Sequence, residues 1–125
     1  MTKTYKELIV WQKSYDLSLL LYEFTSKFPK GELYALTSQI RRAVISIPSN
    51  IAEGYCRYSR KEYTQFLQIA FGSGAELETQ ILIARDLKYI SGEEFEKSNS
   101  LLVEVMKMLN SLISKIRSST LVSSN

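Results

Sequence analysis

An all-α, up-down four-helix bundle is the fold this sequence predicts, and three observations predict it. Apolar residues recur at spacings of three and four along four separate stretches. No stretch alternates apolar and polar residues as a half-buried strand would. The connections between the stretches are short, which makes consecutive helices antiparallel neighbours. With 125 residues, 45% hydrophobic and 23% charged, the chain fits one domain with a real core and is unlike a disordered segment. No repeat or linker divides it, so 1–125 reads as one elongated domain.

The first helix is expected over 4–27, where Thr4 and Glu7 have the spacing of a capping box; a regular start one turn later stays open. Leu8, Trp11, Tyr15, Leu19 and Tyr22 form one apolar face, and Leu17, Leu20, Leu21, Phe24 and Phe28 a second band beside it. A helix with two apolar faces buries one in its own bundle and offers the other to a partner. The run FPKG at 28–31 then turns the chain.

The second helix is expected over 32–55, with a core stripe of Leu33, Leu36, Ile40, Ala43 or Val44, Ile47 and Ile51. Arg42, Ser46, Ser49, Asn50 and Glu53 fall on its polar side. Pro48 should bend this helix by deleting one backbone bond, and Gly54 sits where a left-handed C-cap is expected.

The third helix, 59–90, opens on a capping box at Ser59 and Glu62 and carries Tyr63, Leu67, Ala70, Gly74, Leu77, Ile81 and Ala84 in a four-three rhythm. Gly72 and Gly74 each cost about 1 kcal/mol of helix propensity. The return expected from the small run 72–75 is close approach of another backbone. Ser91 and Glu94 cap the fourth helix, 92–117, which points Leu102, Val105, Leu109, Leu112 and Ile116 inward, and 118–125 reads as a frayed tail.

Function is less legible. Cys56 is the only cysteine, so no intrachain disulfide can form, and a reducing cytoplasm is the expected setting. No secretory leader opens the chain, and the longest apolar run, 17–22, is far short of the roughly 20 residues that cross a bilayer. Histidine is absent, which removes the commonest proton shuttle and zinc ligand. Gly72-Ser73-Gly74 lacks the lysine and the strand of a phosphate loop and reads as helix packing. Glu76 and Glu78, two apart, diverge and cannot clasp one ion. Cys56 beside Arg57 reads as a bystander thiol. No general base and nucleophile pair is visible, so neither an enzyme nor a cofactor or metal is expected.

Charge is asymmetric. In an up-down bundle, one end gathers Lys3, Lys6, Arg57, Arg60, Lys61, Lys115 and Arg117 against Glu7, Glu53 and Glu62. Seven cations against three carboxylates leave +4 there, more than the +3 of the whole chain, while the opposite end balances. Arg60 and Lys61 lie in a first helical turn, where the macrodipole disfavours cations and free N–H groups suit a phosphate. The bland alternative is a set of solvated charges. Arg41 and Arg42 are separate candidates, of which only one should face a given ligand.

Several motifs carry a resemblance. They are LIVW at 8–11, FP at 28–29, QIRRA at 39–43, SIPSNIAEG at 46–54 and IAFGS at 69–73. Together they resemble the four-helix bundle proteins encoded within intervening sequences of bacterial 23S ribosomal RNA genes, over nearly the whole chain. The resemblance implies a left-handed bundle assembling into a homopentameric ring. Its relatives include the accessory protein of diversity-generating retroelements, which engages nucleic acid through basic surfaces. The motif positions Trp11, Arg41, Arg42, Pro48, Asn50, Glu53, Gly54, Gly72 and Ser73 then read as packing, assembly or ligand determinants. Ala35 stands where many members have glycine, and is expected to tighten that turn of the second helix. The expected function is a cytoplasmic homo-oligomer binding structured RNA or DNA through Arg57, Arg60, Lys61, Lys115 and Arg117, with Arg41 and Arg42 as further candidates. The alternative is an assembly scaffold or adaptor whose partner is a protein.

Overall fold

The computed structural model describes residues 4–123, with side chains through residue 119. Among them are four α-helices and no strand: α1 (Ile9–Thr25), α2 (Leu36–Tyr55), α3 (Arg60–Asp86) and α4 (Gly92–Ser123). Short 3-10 turns at Tyr5–Glu7 and Lys30–Glu32 precede α1 and α2. The helices pack in cyclic order, each against its chain neighbours and α4 back against α1, with the broadest interface between α2 and α3. The Tyr89 hydroxyl donates to Glu32 at 2.7 Å, which ties the first and third connections together at one end. Arg60 donates to the Ser119 carbonyl at 3.2 Å and so joins the second connection to the end of α4.

The first two helices start later than periodicity suggests. The Thr4 hydroxyl accepts from the Lys6 N–H at 3.1 Å, capping a 3-10 turn, and extended Leu8 separates that turn from α1. Glu32 lies outside α2. Its carboxylate reaches the Leu36 N–H at 3.4 Å from the preceding turn, and Leu33 is consequently exposed rather than part of the core stripe. Ala35 (φ −124°, ψ −108°) flanks the start of α2 and is not within one of its turns.

α2 runs unbroken through Pro48. Proline removes the N–H that would bond the Val44 carbonyl, and Ser18 Oγ of α1, 3.3 Å away, donates to that carbonyl instead. Both Ala43 and Val44 are buried, so the alternatives at that position are both realised. Gly54 is not a left-handed cap: no glycine has positive φ, and Cys56 closes the helix with φ −82°. A Cβ at Gly54 would lie 2.8 Å from Phe66 Cβ and 3.2 Å from the Tyr63 carbonyl, so α3 crosses there too closely for any side chain.

α3 stops at Asp86, four residues before the expected end. Lys88 adopts the left-handed conformation (φ 65°). The Lys88 and Tyr89 N–H groups bond the Arg85 and Ala84 carbonyls, each at 2.9 Å. This is a Schellman cap with lysine in the glycine position. The small-residue run is only half a packing device. Gly74 faces the Met106 thioether of α4, a movable side chain and not a backbone, whereas Gly72 has no neighbour a Cβ would touch.

The Ser91–Glu94 capping box is complete, with Glu94 N–H on the Ser91 hydroxyl (3.0 Å) and Ser91 N–H on the Glu94 carboxylate (2.9 Å). α4 buries Leu102, Val105, Leu109 and Ile113, while Leu112 and Ile116 are half-buried, because 3.6 residues per turn carries the stripe from 109 to 113. The helix continues to Ser123, so the expected tail is helical at least that far; 124–125 lie outside the described residues. The core joins Leu17 and Leu21 to Ile40, Val44, Ile47, Ile51, Leu67, Leu77, Ile81, Leu102, Val105 and Leu109. On α1 the Leu17 band is the buried one, and Tyr15, Leu19 and Tyr22 face outward.

Candidate nucleic-acid interface

Two cationic surfaces emerge. The first is the basic end. The Arg60 to Ser119 contact brings the start of α3 against the end of α4, so Arg57, Arg60 and Lys61 share an end with Lys115 and Arg117. These cations are not equally available. Arg57 is held by Glu53 at 2.7 Å and lies over the Phe66 ring at 4.9 Å, which makes Glu53 its local counter-ion. Lys61, Lys115 and Arg117 are exposed and form no ion pair among the described residues. The Ser59 hydroxyl accepts the Glu62 N–H at 3.2 Å, so α3 starts on the hydroxyl half of the expected capping box. Lys6 is exposed nearby, and Lys3 lies outside the described residues.

The second surface lies on α2. Arg41 and Arg42 both line one groove of about 490 Å³ with Tyr22, Leu33, Tyr34, Thr37, Ser38 and Ile45. Adjacent helical positions diverge, yet these side chains are long enough for both to border this groove. Arg41 is fixed: its Nε donates to Thr25 Oγ1 at 2.9 Å and its guanidinium lies 4.6 Å from the Tyr22 ring centroid. Arg42 reaches Ser38 Oγ at 3.3 Å and also borders a smaller polar cleft with Gln39, Glu76 and Gln80.

The end opposite the basic one balances in net charge, and two of its cations are paired, while Lys30, Lys88 and Lys97 are exposed with no ion pair among the described residues. Lys27 pairs with Glu94 at 2.8 Å, and Arg85 with Asp86 at 3.0 Å. The Lys27 hydrogen bond, with the Ser91 N–H, holds the Glu94 carboxyl below the usual carboxylate range, and the same hydrogen bond raises the Lys27 ammonium. Burial pushes the Tyr63 phenol up to about 12, with Tyr55 adding to the rise.

Several of the remaining motif residues make contacts within this chain. The Ser46 and Ser73 hydroxyls meet at 2.7 Å across α2 and α3, and the Asn50 amide donates to the Ser46 carbonyl (2.8 Å) and hydroxyl (2.9 Å). Trp11 stacks on Tyr15 (5.2 Å) and meets the Tyr5 edge (5.4 Å). Pro48 is buried, and Cys56 is exposed. Sequence reasoning missed Tyr34, which is 94% exposed, and the donor role of Ser18. The proline four residues after Val44 is the signal that could have exposed the second.

The family model described as 23S rRNA-intervening sequence protein matches residues 6–111. A crystal structure of a protein with unknown function from the S23 ribosomal protein family of Bacteroides thetaiotaomicron superposes with a TM-score of 0.79 and 26% identity. The match covers 84% of this chain and 98% of that one. Among curated proteins, none matches. No helix of the described residues is long and apolar enough to cross a membrane.

Proposed function

Because the chain belongs to the 23S rRNA-intervening sequence protein family, we propose that it is a non-enzymatic, cytoplasmic homo-oligomer that binds structured RNA or DNA through phosphates at its basic end. The observation that carries this reading is that Lys61, Lys115 and Arg117 lie at one end of the bundle, near the Arg60–Ser119 junction, exposed and without ion pairs among the described residues. The basic end carries a net excess of cations, whereas charges at the other end balance, and such an excess attracts a polyanion. Self-association draws support from two apolar faces. Tyr15 and Leu19 are about half exposed on α1, as are Ile69 and Ile83 on α3. Two different faces suit a heterologous, ring-closing contact, for which the resemblance implies five subunits. A ring would repeat the basic end and add avidity.

The same apolar faces support the second reading, a scaffold for a protein partner. Charge reversal separates the two. In the Lys61→Glu, Lys115→Glu, Arg117→Glu variant, helicity and melting temperature should stay near wild type while affinity for structured RNA falls more than about tenfold. Unchanged affinity would leave the scaffold.

A further inference from the structure

The groove holding Arg41 and Arg42 has features the basic end lacks. No carboxylate lines it, and neither arginine is in an ion pair among the described residues. Arg41 is oriented before any ligand arrives. Thr25 takes its Nε and the Tyr22 ring covers one face of its guanidinium, while its two terminal nitrogens make no bond among the described residues. An arginine fixed in this way offers a planar fork at low entropic cost, suited to two oxygens of one phosphate. Tyr34 stands at the same groove, 94% exposed, with no hydrogen bond or ring partner among the described residues. A phenol ring so exposed is a platform on which a flat base can lie.

We infer that this groove seats a single-stranded segment of nucleic acid, with one base stacked on Tyr34 and the adjoining phosphate held by Arg41 and Arg42. The inference rests on the nucleic-acid reading and adds a second surface to it, selective for unpaired strands. A duplex keeps its bases stacked on one another and can offer this groove only its phosphates, whereas a single strand offers both partners. The negative charge the arginines attract and the ring the base needs lie within one volume of about 490 Å³.

The test uses the full chain and three fluorescein-labelled probes of equal length: a U-rich single-stranded RNA, an abasic phosphodiester and an RNA duplex. Tyr34→Ala, at a position too exposed to affect folding, should weaken the single strand about tenfold and the duplex less than about twofold. The abasic probe should bind the wild type about as weakly as the single strand binds Tyr34→Ala. Arg41→Lys, which keeps the charge and loses the fork, should weaken the single strand and abasic probes alike. Equal single-strand affinity of Tyr34→Ala and wild type, or equal affinity of the abasic and U-rich probes, would overturn the inference. A change in native mass on Tyr34→Ala would also overturn it, by making the groove a seat for a second copy. The basic-end triple variant separates the two readings. If it binds like wild type while Tyr34→Ala is defective, the groove stands and the basic end falls. If the reverse holds, the groove falls alone, and if no probe binds, both fall.

Discussion

Ser18 Oγ of α1 lies 3.3 Å from the Val44 carbonyl of α2, which Pro48 has deprived of its helical donor. The single hydroxyl proton is shared with the nearer Ser14 carbonyl at 2.9 Å, a bifurcated bond through which one buried side chain bridges two helices at the proline. Ser18→Ala should cost about 1 kcal/mol in a denaturant titration, because a buried carbonyl loses its partner. In a Pro48→Ala background the restored N–H serves Val44, and the cost of Ser18→Ala should shrink. A double-mutant cycle with no coupling would refute this role.

Glycines 54 and 72 should respond oppositely to alanine. At Gly54 the new Cβ meets Phe66 Cβ and the Tyr63 carbonyl, neither of which can swing away, so a loss of about 2 kcal/mol or more is expected. At Gly72 there is open space in a helix interior, and alanine should add about 0.5–1 kcal/mol. Urea midpoints of the two variants check both signs.

Lys88 holds the left-handed position of the α3 cap, where glycine carries no steric penalty. Lys88→Gly should therefore raise stability by several tenths of a kcal/mol to about 1, read as a higher melting temperature.

Alkaline pH should destabilise the fold through Tyr63. Its phenol is held up to about 12 in the native state against 10.0 ordinarily. The unfolded chain therefore loses its proton first, and stability present below pH 10 declines between about 10 and 12. Tyr63→Phe should flatten that decline. Glu94 acts in the acid range: its lowered carboxyl contributes above its ordinary value of 4.5, and the contribution fades as pH falls through the native value. Glu94→Gln should remove that part of the acid dependence.

Much of the bundle is legible in the sequence because spacing of three and four reports burial directly. Leu17, Ile40, Leu67, Leu77, Leu102 and Leu109 are all buried as their spacing implies. Helix ends are less legible, because they depend on partners distant in sequence. Glu32 is held outside α2 by Tyr89, and Lys88 takes a conformation that composition assigns to glycine. The role of Gly54 follows from where α3 crosses, which one-dimensional spacing does not encode. The basic end could be read because topology alone gathers it. The Arg41 groove could not, since the Thr25 hydroxyl and Tyr22 ring that orient Arg41 come from α1, which spacing along α2 does not encode.

The central claim is phosphate binding at the basic end, and fluorescence polarisation across a salt series tests it most directly. A labelled fragment of structured ribosomal RNA and a DNA duplex would be titrated from low to high salt. Three unpaired cations predict measurable binding at low salt, with a log–log slope of about −3 or steeper. No binding at low salt, or an affinity indifferent to salt, would contradict the account.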